Sequence, residues 1–210
     1  MESRLPVIVI VLCVAALTFA LPHSLAPYPK WIPLTVLMIL MILAKWTHQN
    51  GHTFWNTVLG NLANSVTTLF LLWSVGLLVV SLPTRKESPA SLLLSAGILW
   101  VTNVVVFALW YWRMDAGGPN ARDRRGRHDC GAFLFPQMTL DDDKRSASSY
   151  SEWYPHFVDY LFLAFNTSTA LSPTDTAVLS RWAKLMMMAQ SAISLVIIVL
   201  LAARAINSLQ

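Results

Sequence analysis

The residues of this chain best suited to chemistry crowd into the ten positions 166–175. Asn166, Thr167, Ser168, Thr169, Ser172, Thr174 and Asp175 supply one amide, five hydroxyls and one carboxylate, directly after the apolar run 157–165. Oxygen ligands of this kind suit hard cations, so the set could coordinate or steer a small cation. Other polar residues interrupt long apolar stretches. Thr57, Asn61, Asn64 and Thr68 recur at spacings of four, three and four, which places them on one helix face. Gln190 and Ser194 lie one helical turn apart, and Thr102 with Asn103 interrupts a further apolar run. Polar side chains in such surroundings are costly unless paired. They read either as interhelical hydrogen bonds or as the wall of a polar pathway, with Asn61, Asn64 and Gln190 supporting the 166–175 segment.

Enzyme chemistry finds little footing. The chain has no Gly-rich phosphate loop, no His-Glu-x-x-His and no Gly-x-Ser-x-Gly. Its histidines, His23, His48, His52, His128 and His156, are scattered over loops. His48 and His52 could share a helix face, but a third ligand is missing. His128-Asp129-Cys130 is too short a set for zinc. Cys13 falls in an apolar run and Cys130 in a polar loop, so a mutual bridge is not expected. No catalytic residues, metal or cofactor are expected, and the chain reads as no enzyme.

The elements that must position these residues follow from composition. Of 210 residues, 55% are apolar and 12% charged. Soluble domains run near 45–50% apolar and about 25% charged. A larger core cannot absorb the excess in so short a chain, so the surplus apolar surface must face a lipid bilayer. The formal charge of +4 is not a nucleic-acid signal. Seven of the 15 Lys and Arg fall between Arg113 and Arg145, interleaved with aspartates, and the others sit near the ends of apolar runs. That is membrane-flanking charge, not a stripe that tracks phosphates.

A spanning helix needs about 20 apolar residues. The pattern predicts one membrane domain over 1–210, with spanning helices at 5–22, 31–46, 54–82, 89–112 and 176–207, and a short helix at 156–170. The first run also fits a signal peptide, although Pro27 would follow the small-residue site Ser24-Leu25-Ala26 and is a poor context for cleavage. The short helix, with its apolar run and the hydroxyl-rich residues after it, reaches fifteen residues, a length typical of a re-entrant or marginally spanning segment. Ser172-Pro173-Thr174-Asp175 then reads as the start of the last helix, with Ser as N-cap, Pro in the first turn and an acid following. Seven of nine tryptophans (Trp31, Trp46, Trp55, Trp110, Trp112, Trp153 and Trp182) fall at these ends, at the headgroup level such rings prefer. The polar loop 114–155 carries an apolar patch, GAFLFPQM, expected to dock on the helices.

From Trp153 onward, the stretch FVDYLFLAFNTSTALSPTDTAVLSRWAKLMMMAQSAISLVIIVLLAARAIN resembles a family of bacterial integral membrane proteins of unknown function, with FLFPQ as an upstream echo. The resemblance implies a multi-pass protein of the bacterial inner membrane and no particular activity. The same stretch distantly resembles the pore half of pore-loop cation channels, in which an outer helix, a loop, a short pore helix, a filter and an inner helix follow in order. Those parts would be 89–112, 114–155, 156–169, 170–175 and about 178–207. The match departs at the filter. Alignment on Asp175 puts Ser172 and Thr174 where glycines would stand, and no glycine follows Gly131. A carbonyl filter of the potassium type needs that freedom. What the resemblance leaves is a hydroxyl-lined constriction or a non-conducting relic.

Charge sets an expected orientation. With the N-terminus inside, Arg4, Lys45 and the seven basic residues of 113–145 lie on the cytoplasmic side, against Lys30, Arg85 and Lys86 outside. The positive-inside rule prefers this, whereas a conventional channel would put the loop outside. The expectation is thus an all-α, polytopic helical membrane protein with five transmembrane helices and one short helix. Its function would be that of a pore-loop-like ion channel without a potassium-type filter or, alternatively, of a non-conducting accessory or scaffold subunit. The expected partners are the lipid bilayer, further copies of the chain or a larger membrane complex, and a small cation, with no nucleic acid.

Overall fold

Among the described residues, helix α1, Leu5–Leu17, is shorter than the 5–22 expected. One 3-10 turn, Thr18–Ala20, extends it, and then Leu21 turns extended at φ −70°, ψ 139°. The cause is Pro22, which disfavours helical geometry in the residue before it and offers no N–H. At 1.5 Å per residue α1 and its extension reach about 24 Å, against a hydrocarbon core of about 30 Å. Of the five spanning helices expected, four are therefore long and apolar enough to cross a membrane. The computed structural model describes residues 5–26, 28–81, 88–125, 128, 131–140, 153–169 and 175–207.

Those four are α2, Trp31–Gln49; α3, Thr53–Ser81; α4, Pro89–Met114; and α7, Arg181–Asn207. Helix α2 ends at a glycine turn. Gly51 takes φ +74°, and the His52 N–H reaches back to the Thr47 carbonyl at 2.9 Å, so α2 and α3 form a tight antiparallel pair. Helix α4 starts at Ser88, whose hydroxyl accepts from the Ser91 N–H at 3.2 Å, with Pro89 in the first turn. It ends where Ala116, Gly117 and Gly118 all adopt positive φ. A Cβ on Gly118 would sit 2.6 Å from the Arg113 carbonyl oxygen, so only glycine lets the chain double back there.

Helix α4 is the centre of the molecule. In its most apolar stretch 72% of residues are buried, against 17% in α2 and α7 and 28% in α3. It packs on α3 and α7, and α1 lies against α2 and α4. The outward faces are apolar: Ile42, Leu69, Val80, Leu185 and Met188 are all exposed. Water would penalise such surfaces and a bilayer would cover them.

Beyond α4, helix α5, Pro119–Arg125, folds back on its end. Strand β1, Phe133–Leu134, then pairs antiparallel with β2, Ala177–Val178. The GAFLFPQM patch does dock: Phe133 is buried among the rings of Tyr111, Phe135, Tyr160 and Trp182, at 5.3–6.5 Å between centroids. Helix α6, Phe157–Thr169, is 13 residues long and reaches about 20 Å. It packs between α4 and α7. The last helix starts at Arg181, with the Ser180 hydroxyl accepting from the Ala183 N–H at 3.3 Å. Within 176–180, expected as its first turn, Ala177 and Val178 instead pair with β1, and the Leu179 N–H donates to the Ala132 carbonyl at 2.8 Å.

Candidate functional site

The hydroxyl-rich segment divides between two environments. Residues buried on α6 recur as Phe157, Tyr160, Leu163, Ala164, Thr167 and Ser168, one stripe at helical spacing. This turns Thr167 and Ser168 inward and leaves Asn166 on another face.

The inward side is a hydrogen-bonded cluster between α4, α6 and α7. Gln190 donates through Nε2 to the Ala164 carbonyl at 2.7 Å and to the Ser168 hydroxyl at 2.9 Å. Its Oε1 accepts from the Tyr111 hydroxyl at 2.5 Å. Ser194 donates to Ser168 Oγ at 2.9 Å and accepts from Asn103 Nδ2 at 2.7 Å. Asn103 also donates to the Gln190 carbonyl at 3.3 Å. One turn away, the Ser191 hydroxyl donates to the Thr167 carbonyl at 3.1 Å, and Thr167 donates to its own helix at Leu163. Asn103, Gln190, Ser194 and Ser168 are at most 1% exposed. The amide of Gln190 is therefore spent at both ends. Small residues make the close approach feasible: Ala164 and Ser168 on α6 meet Gln190 and Ser194 of α7.

The outward side is wetter. Asn166 and Asp175 line a cavity of about 190 Å³, together with Asp159, Gln137 and Thr176. Asp159 also accepts the His156 N–H at 2.7 Å, which caps the start of α6. Thr169 donates to the Asn166 carbonyl at 3.0 Å. Ser172 and Thr174 lie outside the described residues.

The polar face of α3 stands apart from this site. Thr57 accepts from Asn120 Nδ2 of α5 at 3.0 Å, and Thr68 accepts from the Trp110 indole of α4 at 3.0 Å. Between them, Asn61 Oδ1 and both side-chain polar atoms of Asn64 are buried without a hydrogen-bond partner among the described residues. Of the residues expected to support 166–175, Gln190 and Ser194 reach it, while Thr57, Asn61, Asn64 and Thr68 serve the α3–α4–α5 side.

A third polar centre was not singled out from sequence. Asp115, fully buried just past α4, receives His128 Nε2 at 2.6 Å, the Tyr160 hydroxyl at 2.7 Å and the Ala132 N–H. An ionised carboxylate only accepts, so His128 carries its proton on Nε2. The imidazole lies over Gly131, where a Cβ would fall 2.2 Å from His128 Cε1. Buried Arg122 donates to the last carbonyls of α4, Trp112 at 2.9 Å and Asp115 at 2.8 Å, with its guanidinium 5.6 Å from the Tyr160 ring. This fastens a charged loop onto the helix C-terminus, where a cation is favoured. The signal in the sequence was an acid directly behind a long apolar helix, followed by Gly117-Gly118-Pro119.

Among the described residues, no three His, Cys, Asp or Glu side chains gather as metal ligands. No family model, curated protein or solved structure matches this chain.

Proposed function

We propose that the chain is a non-conducting accessory or scaffold subunit of a membrane assembly, with α4, α6 and α7 as its rigid part. One observation carries this reading: the hydroxyls and amides of Ser168, Asn103, Gln190 and Ser194 are turned on one another rather than into a channel. A group engaged in this way cannot replace the water around a passing ion. The remaining outward surface of α7, with Leu185, Met188 and Leu195 each more than 60% exposed, offers an apolar face to lipid or to a neighbouring helix. The balance of basic residues favours a cytoplasmic 114–155 loop in a bacterial inner membrane, with a cytoplasmic N-terminus provided that α1 crosses as a fourth span before it.

A second reading, a pore-loop-like channel, draws support from the cavity that Asn166 and Asp175 share with Asp159. The two readings part in a flux measurement. In liposomes holding the purified chain, sodium and potassium flux under a gradient should stay at the level of empty vesicles, for the wild type and for Asp175→Asn alike. Flux well above that level, lost in Asp175→Asn, would replace the scaffold with the channel.

A further inference from the structure

A cavity larger than the one near Asp175 lies elsewhere among the described residues. About 310 Å³ of space lies where the N-terminal half of α1, the last turns of α2, the first turns of α3 and the end of α4 come together. This is the lower end of the range for small-molecule sites. Its wall has two chemistries. Val7, Met41 and Leu59 form an apolar part, while Lys45, Arg113 and His48 bring nitrogen to the other, with Asp123 from α5 as the carboxylate of the lining.

Two of the basic residues sit at helix ends. Arg113 belongs to the last turn of α4 and Lys45 to the last turns of α2. Both lie at the ends of apolar helices that could have carried neutral residues instead. The Arg113 guanidinium crosses directly over Gly60 of α3, where a Cβ would lie 1.9 Å from Nη1. Any side chain at position 60 would expel it. The missing Cβ is thus what lets a charged group lie across the α3–α4 contact and border the cavity.

We propose that this cavity binds the headgroup of an anionic phospholipid from the surrounding bilayer. Its phosphate would lie between Lys45 and Arg113, and its glycerol and first methylenes along Met41 and Leu59. Three observations select that occupant. Two permanent cations against one carboxylate leave the lining positive, as in basic pockets between membrane helices that hold anionic headgroups. The apolar part would stay poorly filled by a small hydrophilic anion. The cavity also borders α2, whose outer face (Ile39, Ile42 and Trp46, each 58–62% exposed) continues as an apolar surface along which acyl chains could run. The site shares no residue with the Asn103–Ser168–Gln190–Ser194 cluster, so it stands or falls independently of the scaffold reading.

The test uses the full chain in detergent, titrated separately with phosphatidylglycerol, phosphatidylcholine and glycerol 3-phosphate. Bound lipid is counted by native mass spectrometry and Tm is followed in parallel. Phosphatidylglycerol should bind at least tenfold more tightly than phosphatidylcholine and raise Tm. Exposed Lys45 should tolerate Lys45→Gln in folding, and that variant should bind phosphatidylglycerol about fivefold more weakly, the loss of one lysine's attraction. Gly60→Leu should abolish the preference. Lys30→Gln, at the other end of α2, where Lys30 donates to the Phe19 carbonyl at 2.9 Å, should leave it unchanged. Equal binding of the two lipids, or equal losses in Lys30→Gln and Lys45→Gln, would overturn the site. A Tm rise with glycerol 3-phosphate matching that with phosphatidylglycerol would overturn the lipid and assign a free phosphate.

Discussion

The middle of α4 and its C-terminal end both carry polar residues in apolar surroundings, and they pair them differently. Around Asn103, four side chains from three helices close on each other at 2.7–2.9 Å. Around Arg113, charged and apolar side chains face a void of about 310 Å³. The first arrangement stabilises helix contacts, because most of its donors and acceptors, all but Asn103 Oδ1 among the described side chains, find partners within the cluster. The second leaves recognition groups at the edge of unfilled space, which is the geometry of a binding site. An amide by itself does not separate the two, since Asn103 and Gln190 belong to the first and Gln49 and Asn56 to the second.

Asp115 sits between these regions and should be the most sensitive position. Asp115→Ala would strand the His128 N–H, the Tyr160 hydroxyl and the Ala132 N–H in a buried site, at about 4 kcal/mol. Denaturation in mixed micelles would measure this. A loss below about 1 kcal/mol would mean that the loop is not held by Asp115. Next, Gln190→Leu removes three hydrogen bonds from the closed cluster and should cost about 2 kcal/mol. An unchanged stability there would break the distinction, because it would show that the cluster holds nothing together. The smallest effect belongs to Thr57→Val on exposed α3. It deletes one of the acceptors for Asn120 and should cost under about 1 kcal/mol, with flux and lipid binding unchanged in the assays above.

Much of the helical layout was legible in the sequence, because a run of apolar residues longer than a bilayer is thick has few alternatives to a helix. The structure extends α2 from 46 to Gln49 and α4 from 112 to Met114, small changes at frayed ends. Two expectations changed for physical reasons. Among the described residues, the first run ends before Pro22 as a shorter apolar helix, and four others are long and apolar enough to cross. The last helix, expected from 176, starts at Arg181, and Ala177–Val178 instead gains backbone partners from Phe133–Leu134, which lie 43 or more residues earlier. Local signals describe only local options, and a distant strand can outcompete them.

The site was legible in part. The placement of Gln190 and Ser194 one turn apart announced a shared face, and that face does meet Ser168. The equally regular Thr57-Asn61-Asn64-Thr68 series gave no sign that it would meet α4 and α5 rather than α6. Periodicity reports which residues share a face and is silent about which helix lies opposite. The Asp115–His128–Tyr160 centre joins residues spread over 45 positions, and no spacing rule connects them.

By itself, then, the sequence determined that long apolar helices would form, roughly where they begin and end, and which residues share each face, because hydrophobic length and the 3.6-residue period are properties of the local chain. Tertiary structure alone decided which polar face met another and which faced a cavity. That choice depends on what packs opposite each helix: Gly60 yielding its space to Arg113, or Ala164 and Ser168 letting α7 come close enough for Gln190 to bond.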